Sequence, residues 1–541
     1  MIRASKYSVL FPLIAAMTAQ PVLSAPPEQQ TDTATPSPLL VSDEPSLPES
    51  LADPRDLTPV ETVSNFADAL ALSYSRNPRL LAERAQTRSA DNQLPAARGA
   101  YGPHLDVRAR HSYQRDRAPG LFFDDQGFST TAEAVLVQPV HTFGRLRSAE
   151  EGALARISFS RASLRYVENQ TLLDTINSYV AVQRDEALVA ITRENVELLE
   201  RQLSDNRERF RVREITSTDL QQIQTRVEFG RAQLLDAEGT LAASRSTFLR
   251  MVGANAGKLD TAPRLMVPVS TLDEAQVLAE RDSPLIAAAE ARERNARAST
   301  AAAQAEFFPE VALQGTGEYG TISPYRNTGR TTRLVGEVVV TVPLIDSGVR
   351  LAKLRAARET EDAEWRLADD ARRETRDQVN SAWNRLAASR QSITHYSAAV
   401  DAAQLAYDGA AVQERAGART TLDVLDLARD LLTVKRSYIQ AIADEYVGRA
   451  TLLASLGHLE GDDLLPGKWL YDPETNLKRV KYRGNFPPFS SILSALDGVT
   501  VGDMRSNKPS RDPSRGLPSA AGGALGPDIV PPISATAPAS R

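Results

Sequence analysis

The chain has 541 residues, 42% of them hydrophobic but only 6% aromatic, so its apolar content is spread over aliphatic side chains rather than gathered into large globular cores. Its formal charge of -6 offers no basic field for nucleic acid. The absence of cysteine excludes disulfides, thiolate metal sites and a lipid anchor on an N-terminal cysteine.

Residues 1–25 read as a secretory signal: Arg3 and Lys6 precede an apolar run from Val9 to Met17, and small residues follow at Ser24 and Ala25. Residues 26–62 are rich in Pro, Ser, Asp and Glu and read as a disordered leader. No later segment approaches the roughly 20 apolar residues of a membrane-spanning helix. From Val63 a helix runs to a break at Asn77-Pro78, and a second covers about Pro78 to Gly99.

After Pro103 the period changes to two. Leu105, Val107, Ala109, His111 and Tyr113 alternate with Asp106, Arg108, Arg110, Ser112 and Gln114, which predicts strands at about 104–115 and 129–140. Such alternation over about ten residues suits a membrane barrel strand, and equally a half-buried soluble hairpin. A proline-free run from Val140 to Ala262 follows. Its apolar residues recur in steps of three, four or seven, as in a helix packed on other helices. Arg145–Phe210 alone would extend roughly 100 Å at ~1.5 Å per residue. Thr218-Asp219 then offers N-cap chemistry for a return helix to Met251, so residues 211–219 are the tip of a helical hairpin.

The same object occurs twice. Pro139 and Pro343, Gly144 and Gly348, Asp219 and Asp423, and Gly253 and Gly457 are each separated by 204 residues. One repeat occupies 63–262 and the second 263–460, with strands at about 310–320 and 333–344 and a tip at about 415–423. Residues 461–541 form a C-terminal extension, largely disordered beyond 484. Four strands cannot close a membrane barrel, whose smallest examples have about eight, and a water-filled duct needs more. Three chains would supply about twelve. The expected fold is therefore mainly α with a membrane β-barrel: a tandem-duplicated protomer of long helical hairpins plus four β-strands, a trimer of which forms a 12-stranded barrel and an α-helical tunnel.

Over about Ser64–Glu460 the chain resembles the TolC family of outer-membrane channel-tunnels. The resemblance is carried by the breaks at Asn77-Pro78 and Ser283-Pro284, the strand exits Gln138-Pro139-Val140 and Val342-Pro343-Leu344, and the run from Gly417 to Asp426 at the second tip. It implies an outer-membrane location with a periplasmic helical domain, a homotrimer in outer-membrane lipid, a periplasmic adaptor (membrane fusion) protein, an inner-membrane ABC transporter or RND pump, and no cofactor. It also implies a periplasmic mouth latched by Asp219 and Arg419 and ringed by Asp423 and Asp426. Two positions depart from the family pattern: Glu414 replaces a tyrosine that supports the latch, and Arg213 stands where glycine is usual.

The residues themselves allow less. Asp423 and Asp426 are three apart, so both can face one side of a helix, and a ring of them would attract cations. Aspartate is also favoured at any helix start by the helix dipole. Arg419 reads equally as a surface arginine. The five histidines are scattered without metal-ligand spacing, and neither a phosphate-cradling loop nor a nucleophile elbow is present, so no enzymatic activity is expected.

The leading function is an exit duct passing cargo from an inner-membrane transporter–adaptor complex. Tyr471-Asp472-Pro473 after the repeats looks like family members serving type I protein secretion. Small-molecule efflux is the alternative. A structural envelope coiled-coil protein would explain the helices but not four alternating strands at matched positions.

Overall fold

The computed structural model describes residues 62–117, 124–321, 329–465, 470–483 and 492–497. The expected signal, the leader up to residue 61 and the tail after residue 497 lie outside the described residues.

The first repeat opens with β1 (Thr62–Val63), α1 (Phe66–Arg76), α2 (Pro78–Asp91) and α3 (Gln93–Gly99). Asn77 separates α1 from α2: its side chain accepts from Arg79 N at 3.0 Å and donates to Met251 O at 3.3 Å, tying the break to the end of the return helix. The single helix expected over Pro78–Gly99 is two helices. Pro95 has no N–H for the Asp91 carbonyl and its ring crowds that carbonyl, so the backbone turns at Asn92.

Next come β2 (His104–Arg117), β3 (Asp124–His141), the 67-residue α4 (Arg145–Arg211), the 36-residue α5 (Ser217–Val252) and β4 (Asn255–Ala256), which pairs parallel with β1. The second repeat has α6 (Leu272–Asp282), α7 (Pro284–Ala305), β5 (Glu310–Thr321), β6 (Arg330–Thr341), a 67-residue α8 (Val349–Arg415) and a 36-residue α9 (Thr421–Leu456). The duplication reaches single dihedral angles. Phe143-Gly144 and Ser347-Gly348 make the same left-handed corner before each long helix, with φ of 52° and 90° in one and 55° and 88° in the other. β6 ends at Thr341, short of the 344 that alternation suggested, because Pro343 lacks a ladder donor.

The four long strands form one antiparallel sheet in the order β2-β3-β5-β6, which leaves β2 and β6 as unpaired edges. Register places Leu105 opposite Leu136, Leu136 opposite Gly315, and Leu313 opposite Val338 on one face. That face is apolar and exposed: Val107 is 71% accessible, Leu334 82% and Val338 65%. The other face carries Arg108 opposite Glu133, Glu133 opposite Glu318, and Glu318 opposite Arg333. Tyr113, Phe128 and Tyr319 lie toward one end of the apolar face, with Tyr113 and Phe128 ring centroids 5.2 Å apart. Leu105 to Tyr113 spans roughly 27 Å along the strand, near the ~25 Å apolar band of membrane barrels.

The largest core lies where α1, α4, α5 and α9 meet, around the fully buried Tyr179, Phe248, Leu172 and Ile176. The Tyr179 hydroxyl donates toward Asp260 O at 2.7 Å and Ser64 O at 3.1 Å, so the linker after β4 is pinned to α4. Between α6 and α7, Asp282 is held below the ordinary aspartate pKa mainly by a hydrogen bond from Arg281, with His458 also contributing.

The extension is bound to the first repeat by specific contacts. After α10 (Gly461–Leu464), Tyr471 lies against Arg84, whose guanidinium is 4.9 Å from that ring and 4.4 Å from Tyr74. In α11 (Glu474–Val480), Asn476 donates to Asp91 at 2.9 Å. Residues 492–497 are helical and end at the strand-to-helix corner, where Leu493 packs with Tyr101 and Leu146. There Asp497, 2% exposed, accepts from Thr142 N at 2.8 Å and from Arg147 N at 3.4 Å.

The second repeat solves the same problem locally. Asp346, the counterpart of Thr142, accepts from Gly348 N at 3.1 Å and Arg350 N at 2.8 Å. Neither Gly144 nor Gly348 has a side chain to satisfy the free amides of a helix start, so each corner needs a carboxylate from elsewhere.

Candidate functional site

The two hairpin tips are built alike. At the first, Thr216 caps α5 and Asp219 closes a capping box, its carboxylate accepting from Thr216 N at 3.2 Å. At the second, Thr420 caps α9 and Asp423 closes the equivalent box. The tips differ at the turn itself. Gly417 has φ of 72°, whereas Arg213, its counterpart, holds the left-handed φ of 62° with a full side chain, a conformation costing roughly 1–2 kcal/mol.

Beneath the tips, Leu425 of the second hairpin packs among Leu199, Leu203, Ile223 and Val227 of the first. Ion pairs rim this apolar contact. Glu414, 9% exposed, accepts from Arg209 Nη1 at 2.8 Å and from the Thr421 hydroxyl at 3.1 Å. Arg226 reaches Asp426 at 2.9 Å, and Arg429 lies 3.9 Å from the same carboxylate.

Of the residues singled out from sequence, the chain therefore joins Glu414 and Asp426 to the opposite hairpin, through Arg209 and Arg226. Within one chain Asp219 and Arg419 are not brought together. The Asp219 carboxylate serves its capping box, and Arg419 lies exposed in the second turn with no ion pair among the described residues. Asp423 is exposed and Asp426 is about half exposed. Sequence reasoning missed both arginine partners, because the contacts span 205 residues in one case and 200 in the other.

At the far end from the tips, the sheet exposes an apolar face and two free edges. Residues 69–254 and 276–458 match the outer membrane efflux protein family. The chain belongs to that family. It is 27% identical over 414 residues to the outer membrane efflux protein BepC of Brucella suis biovar 1, covering 76% of this chain and 90% of that protein. It is 24% identical to the alkaline protease secretion protein AprF of Pseudomonas aeruginosa, covering 73% and 85%. Among solved structures, the open-state MtrE outer membrane channel of Neisseria gonorrhoeae superposes with a TM-score of 0.63 at 19% identity, covering 73% of this chain and 90% of that one. The CmeC channel of Campylobacter jejuni gives 0.64 at 15%, covering 78% and 90%.

Membership of the outer membrane efflux protein family fixes the location as the outer membrane and the activity as that of an efflux or secretion channel. The fold agrees with those channels along both repeats. The edge strands β2 and β6 present unpaired ladders, which lipid does not tolerate.

Proposed function

We propose that three copies of this chain form the exit duct of a type I protein secretion system, receiving cargo from an inner-membrane ABC transporter through a periplasmic adaptor. The observation that carries the duct is the four-stranded sheet with an exposed apolar face and two open edges, attached to two long hairpins. Joining β6 of one copy to β2 of the next closes about twelve strands, a barrel wide enough to hold water. Secretion is supported by the relative named for alkaline protease secretion. It is also supported by the Tyr471-Asp472-Pro473 segment, which is seated on the first repeat through Arg84.

Small-molecule efflux has its own support in the similarity to a relative named an efflux protein. Deleting the gene separates the two readings: loss of specific secreted proteins with unchanged drug susceptibility is the expected result. Lowered inhibitory concentrations with an intact set of secreted proteins would instead establish efflux.

The tips form the gate in this reading. Arg209–Glu414 and Arg226–Asp426 hold the two hairpins of one chain together. Asp219 and Arg419, both at the tip, latch neighbouring chains, and Asp423 supplies most of the charge of the mouth.

A further inference from the structure

Between α4, α8 and α9 lies a groove of about 490 Å³, lined by Arg385, Ser389, Ser392 and Tyr396 of α8 and by Arg436 and Ser437 of α9. Most arginines along this part of the long helices are engaged by acids, as Arg390 and Arg449 are by Glu445 and Arg245 is by Glu186. Arg385 and Arg436 have no acidic partner within 4 Å among the described residues, and both are exposed. Asp444 also lines the groove, and its carboxylate accepts from Gln440 at 2.8 Å.

The two arginines belong to different helices and are offset along the groove. α8 and α9 run antiparallel, with Leu386 against Gly448 and Arg390 beside Glu445. That register places Arg436 about thirteen α8 residues beyond Arg385, roughly 20 Å at ~1.5 Å per residue. An extended peptide covers that distance in about six residues. The middle of the groove is hydroxyl-rich and carries Asp444, which disfavours a further acid there.

The groove opens away from the linker that follows β4. Tyr446 and Arg449 of α9 donate to Pro263 O at 2.8 Å and Leu265 O at 3.3 Å, so that face of α9 is covered. At about 100° per residue, Ser437, Gln440 and Asp444 lie on the opposite face, which Asp426 shares, and Arg436 lies at its margin.

We infer that this groove is a cargo-contact station in the tunnel wall, recognising an extended polypeptide segment with two carboxylates about six residues apart and neutral residues between. Its place in the lumen rests on the duct proposed above, taken with the linker-covered side of α9 as the outer wall. Each guanidinium offers a carboxylate a charge-assisted fork of N–H donors, and the serines serve the intervening backbone.

Fluorescence anisotropy on the detergent-purified full chain tests the site, using a labelled decapeptide with glutamates six positions apart. The parent is expected to bind it saturably. Arg385→Gln with Arg436→Gln should weaken binding at least tenfold, while Arg193→Gln with Arg245→Gln, arginines already held by Glu238 and Glu186, should not. Glutamine in both peptide positions should weaken binding equally. Equal binding by parent and double variant overturns the site, as does citrate displacing the peptide more effectively than an unlabelled copy does, which would make the ligand a free organic acid. In planar bilayers the peptide should reduce the parent's conductance and not the double variant's. A parent that binds peptide and conducts without being slowed overturns the lumen placement. A parent that binds but never conducts overturns the duct itself.

Discussion

Glu414 and Arg209 belong to different hairpins, and their side chains meet at 2.8 Å over a nearly buried carboxylate. Leaving that carboxylate without its cation costs more than the about 1–3 kcal/mol of a neutral buried group that loses its hydrogen-bond partner. Arg209→Gln is therefore expected to loosen the tips and raise single-channel conductance in planar bilayers. Exchanging the charges, Arg209→Glu with Glu414→Arg, should return conductance toward that of the parent. An exchange that leaves the channel as open as the single variant would show that the pair does not restrain the mouth.

The latch between chains calls for a different substitution at each end. Arg419→Ser removes an exposed cation and is expected to raise conductance while the trimer stays intact. Asp219→Ala would also dismantle a capping box worth about 0.5–2 kcal/mol, confusing charge with helix stability. Asp219→Asn keeps an acceptor for Thr216 N and removes the charge, so a conductance rise matching that of Arg419→Ser isolates the ion pair. Parent-like currents from both variants would remove these two residues from the gate.

The two aspartates of the mouth should not be equivalent. Asp426 is countered by Arg226 at 2.9 Å, whereas among the described residues Asp423 has only its capping contacts. Asp423→Asn is expected to lower cation selectivity, read as a reversal potential in a salt gradient, more than Asp426→Asn does. Arg226→Gln should increase it by freeing Asp426. The opposite order would place Asp426 alone at the constriction.

Charge in the sheet should follow strand parity. Val338 shares the apolar face with Leu313, and Thr341 lies on the face of Glu337. Val338→Arg is expected to cost about 2–4 kcal/mol if it sits at mid-bilayer and to depress trimer yield. Thr341→Arg should assemble normally. Equal yields on native gels would refute the assignment of faces.

The carboxylate at the first corner is a matter of position rather than origin. Asp497→Ala should lower the thermal midpoint of the detergent-solubilised protein and speed amide exchange over residues 145–148. Thr142→Asp in that background supplies the acid where Asp346 already stands and should restore both. Failure to restore exchange at those amides would mean that Asp497 acts through some other contact.

Much of this architecture can be read from spacing alone. The 204-residue offset, the proline-free runs and the change of period after Pro103 and Pro309 locate hairpins and strands because each depends on residues close in sequence. Arg213 is flagged the same way, as a side chain where its counterpart is Gly417. The partners of Glu414 and Asp426 were not legible, since any surface arginine of the other hairpin would satisfy the sequence equally well. The break at Asn92 was overlooked although Pro95 announces it. Asp497 left only an indirect sign: Thr142 occupies the position at which the second repeat has Asp346.

The distance from Thr142 to Asp497 is 355 residues of chain. The first corner is therefore completed only by a contact of very high sequence separation. The second corner has its own acid close by, Asp346, which accepts from the Arg350 backbone N–H four residues on. A chain cut between Arg350 and Asp497 thus carries one finished corner and one unfinished one.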